Sequence, residues 1–165
     1  MNYKLLNFCE INNWISKSST LPFEFERIRF NAMCIAIMPL SKNIISDVAA
    51  CKRIKYLRTK MLEVLALAKN NLSIATVYYE NKVFNLATKN LLSLKILKYF
   101  PKMVLTFGDL DFLDQNLLNS KKVLFNNISY HPEHLLNNIQ AKKLAYQELL
   151  LCKQKLQNIN YHGSI

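Results

Sequence analysis

Glycine is nearly absent from this 165-residue chain, which holds two, Gly108 and Gly163. With 51% hydrophobic residues, that scarcity excludes a flexible or disordered chain and indicates a packed domain. Acidic residues are also few, 11 against 22 Lys and Arg, for a net charge of +11. Such a balance suits a nucleic acid or an acidic partner. No run of five basic residues occurs, however, and aromatics do not alternate with arginine, so a solvated surface is expected in place of a dedicated nucleic-acid groove. Metal-ligand spacing is missing from Cys9, Cys34, Cys51 and Cys152, which lie far apart beside apolar stretches. They read as buried free thiols, with no metal or cofactor, in a reducing cytoplasm. Long apolar runs are missing too. Ala32 to Leu40 falls short of the ~20 residues that cross a bilayer, and Lys4 and Glu10 interrupt anything like a signal peptide. Internal repeats and low-complexity segments are absent.

What remains is one domain's worth of alternating segments. The length suffices to bury about two-thirds of the unfolded surface without disulfides. Residues 1–22 read as a separate N-terminal segment, because Ser16–Thr20 and Pro22 break the pattern after Trp14. Residues 23–165 read as the folded domain. In it, Met33–Met38 is a β-type run that Pro39 is expected to stop. Lys52–Lys69 is an amphipathic helix with Ile54, Leu57, Met61, Leu65 and Ala68 on one face. Leu72–Tyr79 is a strand and Leu86–Tyr99 a helix ended by Pro101. Met103–Phe107 is a strand closed by Gly108, followed by a helix over Leu110–Leu118. Val123–Ser129 is a strand broken by Asn126 and Asn127. His131-Pro132 opens a helical turn, and Gln140–Leu156 is a helix striped by Ala141, Ala145, Leu149, Cys152 and Leu156. Strands separated by helices predict a three-layer α/β/α domain around a small, mainly parallel sheet of about four strands.

Two stretches resemble the uracil-DNA glycosylase superfamily. Ile96-Leu-Lys-Tyr-Phe-Pro-Lys-Met-Val-Leu-Thr-Phe-Gly108 is similar to its helix–Pro–Lys–strand–Gly pattern. Ile128-Ser-Tyr-His-Pro-Glu-His-Leu-Leu136, with the helix from Ala141 to Leu149, is similar to its His-Pro-x-x-Leu-Leu motif. With the strand Ile35–Pro39, the likeness spans most of Met33 to Leu156, and its matching positions are Pro39, Gly108, His131 and Pro132. It implies a glycosylase-like fold without the chemistry. Where these enzymes carry a polar side chain to activate water, this chain has Ile37, which neither accepts a proton nor orients water. Leu40 stands where a glycine lets backbone approach the flipped base. The cysteines do not match the spacing of the iron–sulfur branch. His131 corresponds to a uracil-contacting histidine, but on its own reads as a loop or helix-start residue.

A degenerate domain of this kind behind a short aromatic segment resembles the psi-subunit family of bacterial DNA polymerase III. The segment carries Tyr3, Leu5, Phe8, Ile11-Asn-Asn-Trp14 and Lys17 at the matching places. The resemblance implies a non-catalytic adaptor in DNA replication. Its N-terminal segment would dock on the clamp-loader ATPase subunits (gamma/tau). Its folded domain would bind the chi subunit and, through chi, single-stranded-DNA-binding protein. The alternatives are a uracil-DNA glycosylase-related enzyme and a stand-alone basic nucleic-acid-binding protein.

Overall fold

The computed structural model of the chain describes residues 22–81 and 83–162. The predicted docking residues Tyr3, Leu5, Phe8, Ile11, Trp14 and Lys17, and Cys9, lie outside them.

The described chain forms five strands and six helices. The strands are β1 (Phe23–Arg27), β2 (Cys34–Ser41), β3 (Leu72–Tyr79), β4 (Met103–Phe107) and β5 (Leu124–Ile128). Between and after them come α1 (Lys42–Ile45), α2 (Val48–Glu63), α3 (Leu86–Leu97), α4 (Gln115–Ser120), α5 (Pro132–Leu135) and α6 (Ile139–His162). The sheet runs β1-β3-β2-β4-β5, with β1 antiparallel and the other three pairings parallel. The four-strand, mainly parallel sheet expected from sequence is corrected to a mixed sheet of five. The extra strand, Phe-Glu-Phe-Glu-Arg, alternates apolar and charged residues in the manner of an edge strand. Phe23 and Phe25 join the core on one face. On the other, both Glu26 carboxylate oxygens accept from the buried Arg58 guanidinium at 2.9 and 3.0 Å, and Glu24 accepts from the Tyr78 hydroxyl at 3.2 Å. A bidentate pair of this kind pins β1 in register.

Two apolar clusters lie on opposite faces of the sheet. Cys34, Ala36, Met38, Met103, Leu105 and Phe107 pack against α2 and the Ala141, Ala145, Leu149, Cys152 and Leu156 stripe of α6. Ile35, Ile37, Ala75, Val77 and Val104 pack against Leu92 and Ile96 of α3 and Leu118 of α4. Neighbouring residues of β2 and β4 thus feed alternate faces, and continuous apolar strands result because both faces are covered. Each fully buried Leu, Ile or Phe contributes about 1.5–3 kcal/mol.

Several expected boundaries shift for local reasons. Helix α2 starts at Val48, four residues early, because the Asp47 carboxylate caps it by accepting from the Ala50 N–H at 3.0 Å. It ends at Glu63, so Leu65 is still buried but Ala68 is exposed. The helix expected over Leu110–Leu118 begins only at Gln115, where Asp114 caps it. Asn126 and Asn127 do not break β5: Asn126 accepts from Lys155 Nζ at 2.6 Å and Asn127 from the Thr106 hydroxyl at 2.9 Å. Nor does Pro39 stop β2, which continues to Ser41. The β2–β4 ladder has already ended at Ala36, while Pro39 stays in register with Val77 of β3. A strand with one remaining neighbour tolerates a missing N–H.

The helix-to-strand turns show where the glycine shortage is felt. Helix ends often pass through a left-handed residue, usually glycine. Here Ala66, Phe100 and Lys122 take positive φ after α2, α3 and α4, at 52°, 52° and 57°. Asn31, before β2, has φ 56°.

Candidate functional site

Opening of the β2–β4 ladder beyond Ala36 leaves a cleft between these strands at their C-terminal ends. From β2 the chain returns through β3 on one side and β4 on the other, so the cleft lies where the strand order reverses. Open α/β sheets bind ligands at such a place. Ile37, Pro39, Thr106, Phe107, Asp111 and Phe112 are among the walls of this shallow cleft, which is open to solvent.

The predicted positions Pro39, Gly108, His131 and Pro132 converge at this end of the sheet. Gly108 follows β4 with φ +80°, and a Cβ there would stand 3.1 Å from His131 Cβ. Its N–H donates to the Ile128 carbonyl at 2.7 Å, tying the end of β4 to that of β5. Here glycine is required twice, by the backbone and by the histidine against it. His131 caps α5: Nδ1 accepts from the Glu133 N–H at 3.1 Å. An accepting Nδ1 carries no proton, so in the neutral ring Nε2 carries it. Nε2 lies 2.9 Å from the Tyr79 hydroxyl oxygen and donates to it. Glu133 in turn accepts from the Ser41 N–H at 3.0 Å, joining α5 to β2. Burial, followed by the Glu133 carboxylate, pushes the Tyr79 phenol up to about 12. The His-Pro segment therefore ties β2 to β3 and lies against Gly108 after β4, and both ring nitrogens of His131 are occupied.

The cleft itself offers little for chemistry. Ile37 is 1% exposed on its wall, and Leu40 is buried beside Ile45, Ile54 and Tyr78. Among the lining residues the only carboxylate is Asp111, which is paired with Lys89. His131 is not among them. His134, exposed, stacks on Tyr130 with ring centroids 5.6 Å apart and lies 3.3 Å from the Asn138 amide. No metal-type cluster of His, Cys, Asp or Glu occurs among the described residues. Cys34, Cys51 and Cys152 are buried thiols outside any disulfide. Burial pushes the Cys34 and Cys152 thiols up, away from the reactive thiolate.

Sequence reading missed Tyr79, Glu133, Asp111 and Arg58. Glu133 had a local signal, as an acid in the first turn after His131-Pro132. Tyr79 and Arg58 had none, since their partners lie 52 and 32 residues away. No family model matches the chain, and no curated protein matches it as a relative. No helix among the described residues is long and apolar enough to cross a membrane.

Proposed function

We propose that the chain is a non-catalytic adaptor of a clamp-loader assembly, built on a uracil-DNA glycosylase-like domain that has lost its chemistry. Ile37 carries the reading. It stands buried on the cleft wall, at the position where the resemblance calls for a water-activating side chain. Supporting it, the residues matching the superfamily's motifs gather at one end of the sheet. His131 serves there as a helix cap and a strut to Tyr79. A histidine held at both nitrogens positions structure and leaves little for a base in the cleft. The docking role falls to Tyr3, Leu5, Phe8, Ile11, Trp14 and Lys17, with Trp14 as the main anchor because buried tryptophans dominate interface energies. On the folded domain, α3 exposes Leu86 (69%) and Leu94 (55%), apolar side chains that a second protein such as chi would cover.

Binding of the full chain to purified clamp-loader ATPase subunits, wild type beside Trp14→Ala, tests the reading. Retention by wild type and at least tenfold weakening in the variant are expected. Absence of binding by wild type, or uracil excision abolished by His131→Ala, would overturn it.

A further inference from the structure

The end of the sheet opposite the cleft is assembled from four segments distant in sequence, residues 28–33, 64–71, 98–102 and 119–123. Backbone hydrogen bonds knit them together. The Asn31 N–H donates to the Tyr99 carbonyl at 2.8 Å and Cys34 to Asn71 at 3.0 Å. Met103 donates to Met33 at 2.9 Å and Leu124 to Lys102 at 3.0 Å. These segments hold Arg29, Lys69, Lys98, Lys102, Lys121 and Lys122, all exposed, and no acidic residue. Lys98 and Lys121 have a structural reason to be there, since they cap the C-termini of α3 and α4, where cations balance the helix dipole. Arg29, Lys69, Lys102 and Lys122 lie outside every helix.

Aromatic rings stand among these cations. Phe30 rests against Tyr99 with centroids 4.9 Å apart, Tyr99 against Phe25 at 5.9 Å, and Phe25 against Phe23 at 6.0 Å. At the open end of this row Phe30 is 68% exposed, and Phe100, next to Tyr99, is 66% exposed. Neither exposure is explained by the core. Phe100 also holds φ 52° where a glycine would sit without strain, so an exposed ring is kept at a conformational cost. Strain of that kind concentrates at functional positions.

We propose that this end of the sheet binds single-stranded nucleic acid, with Phe30 and Phe100 stacking on unpaired bases and the surrounding cations contacting phosphates. Exposed rings serve unpaired bases, whose faces are open, whereas duplex bases are already stacked. Phosphates are matched by these six cations, and the adjoining acid, Glu63 at the end of α2, is already paired with Lys60 at 2.9 Å. The sequence hides the feature because no single segment carries more than two of the cations, and only the sheet brings the segments together. The proposal is independent of the adaptor reading, which is carried by Ile37 and the N-terminal segment.

Fluorescence anisotropy of the full chain with labelled oligothymidylate and oligouridylate, across a salt series, provides the test. Both single strands are expected to bind more tightly than a duplex of equal length. Phe30→Ala combined with Phe100→Gly weakens binding about tenfold. Because glycine relieves the φ at position 100, the Phe100→Gly single variant keeps or raises Tm while it weakens binding, which separates stacking from folding. Lys98→Gln with Lys102→Gln lowers the slope of log affinity against log salt by about 1.4. The pair Lys42→Gln and Lys142→Gln, near the other end, leaves binding unchanged. Three outcomes would overturn the proposal: no single-strand binding at low salt, equal losses from the two lysine pairs, or displacement by polyglutamate that ignores both phenylalanines. The last would mark an acidic protein as the partner.

Discussion

The two ends of the sheet are built from the same four parallel strands and share almost nothing else. At the C-terminal ends, the segments after the strands carry Asp47, Glu80, Asp109, Asp111, Asp114 and Glu133 beside Lys42. At the N-terminal ends the segments between helix and strand carry six basic residues and no acid, and Glu63, the last residue of α2, is paired with Lys60. Part of this polarity follows from the architecture. In βαβ units the helices start where strands end, so capping carboxylates such as Asp47 and Asp114 gather at one end and helix C-termini at the other. The backbones differ in a second way. The cation-poor end uses its positive-φ glycine, Gly108, to fit His131, while the cationic end has Asn31, Ala66, Phe100 and Lys122 in the same left-handed region. One end is locked by hydrogen bonds around a histidine. The other keeps strain and exposed rings.

The sharpest way to break that contrast is Gly108→Ala. Its Cβ meets His131 and its φ is left-handed, so stability falls by about 3 kcal/mol in chemical denaturation. His131→Ala costs less, about 2 kcal/mol, through the lost cap of α5 and the lost bond to Tyr79. His131→Asn recovers the cap, about half of that loss. The same strut gives an alkaline signature. The raised Tyr79 phenol stays neutral in the folded state after its unfolded counterpart, near 10, has ionised. The resulting stability is complete below pH 10 and is lost as pH rises to about 12. Denaturation midpoints followed through this window should decline less in Tyr79→Phe than in wild type. The smallest effect is at the cationic end, where Phe100→Gly stabilises by less than about 1 kcal/mol. Relief of the left-handed φ there is partly offset by glycine's unfolded-state freedom. A glycine gained at one end and a glycine lost at the other thus shift stability in opposite directions.

Much of the fold was legible because its signals are local. Leu72–Tyr79 and Met103–Phe107 were bounded by runs of β-branched and aromatic residues and by Gly108, and both strands have those limits. The α6 stripe followed from helical spacing and is buried throughout. Boundaries failed where a cap decided them, as at Asp47 and Asp114. The matching motif residues could be named from sequence, but the occupation of His131 could not, because Tyr79 comes from another strand.

Apolar periodicity and breakers by themselves determined the alternation of helices and strands, the faces of α2 and α6 that go inward, and the burial of Cys34, Cys51 and Cys152. Such patterns depend on neighbours within a few turns. Tertiary structure alone decided that Phe23–Arg27 becomes an edge strand held by Arg58, that β2 runs through Pro39, and that a cleft opens beyond Ala36. It also gathered six dispersed cations and two exposed phenylalanines at one end. Each of these depends on which strand lies beside which, and pairing between residues far apart in the chain leaves no mark in the spacing of either partner.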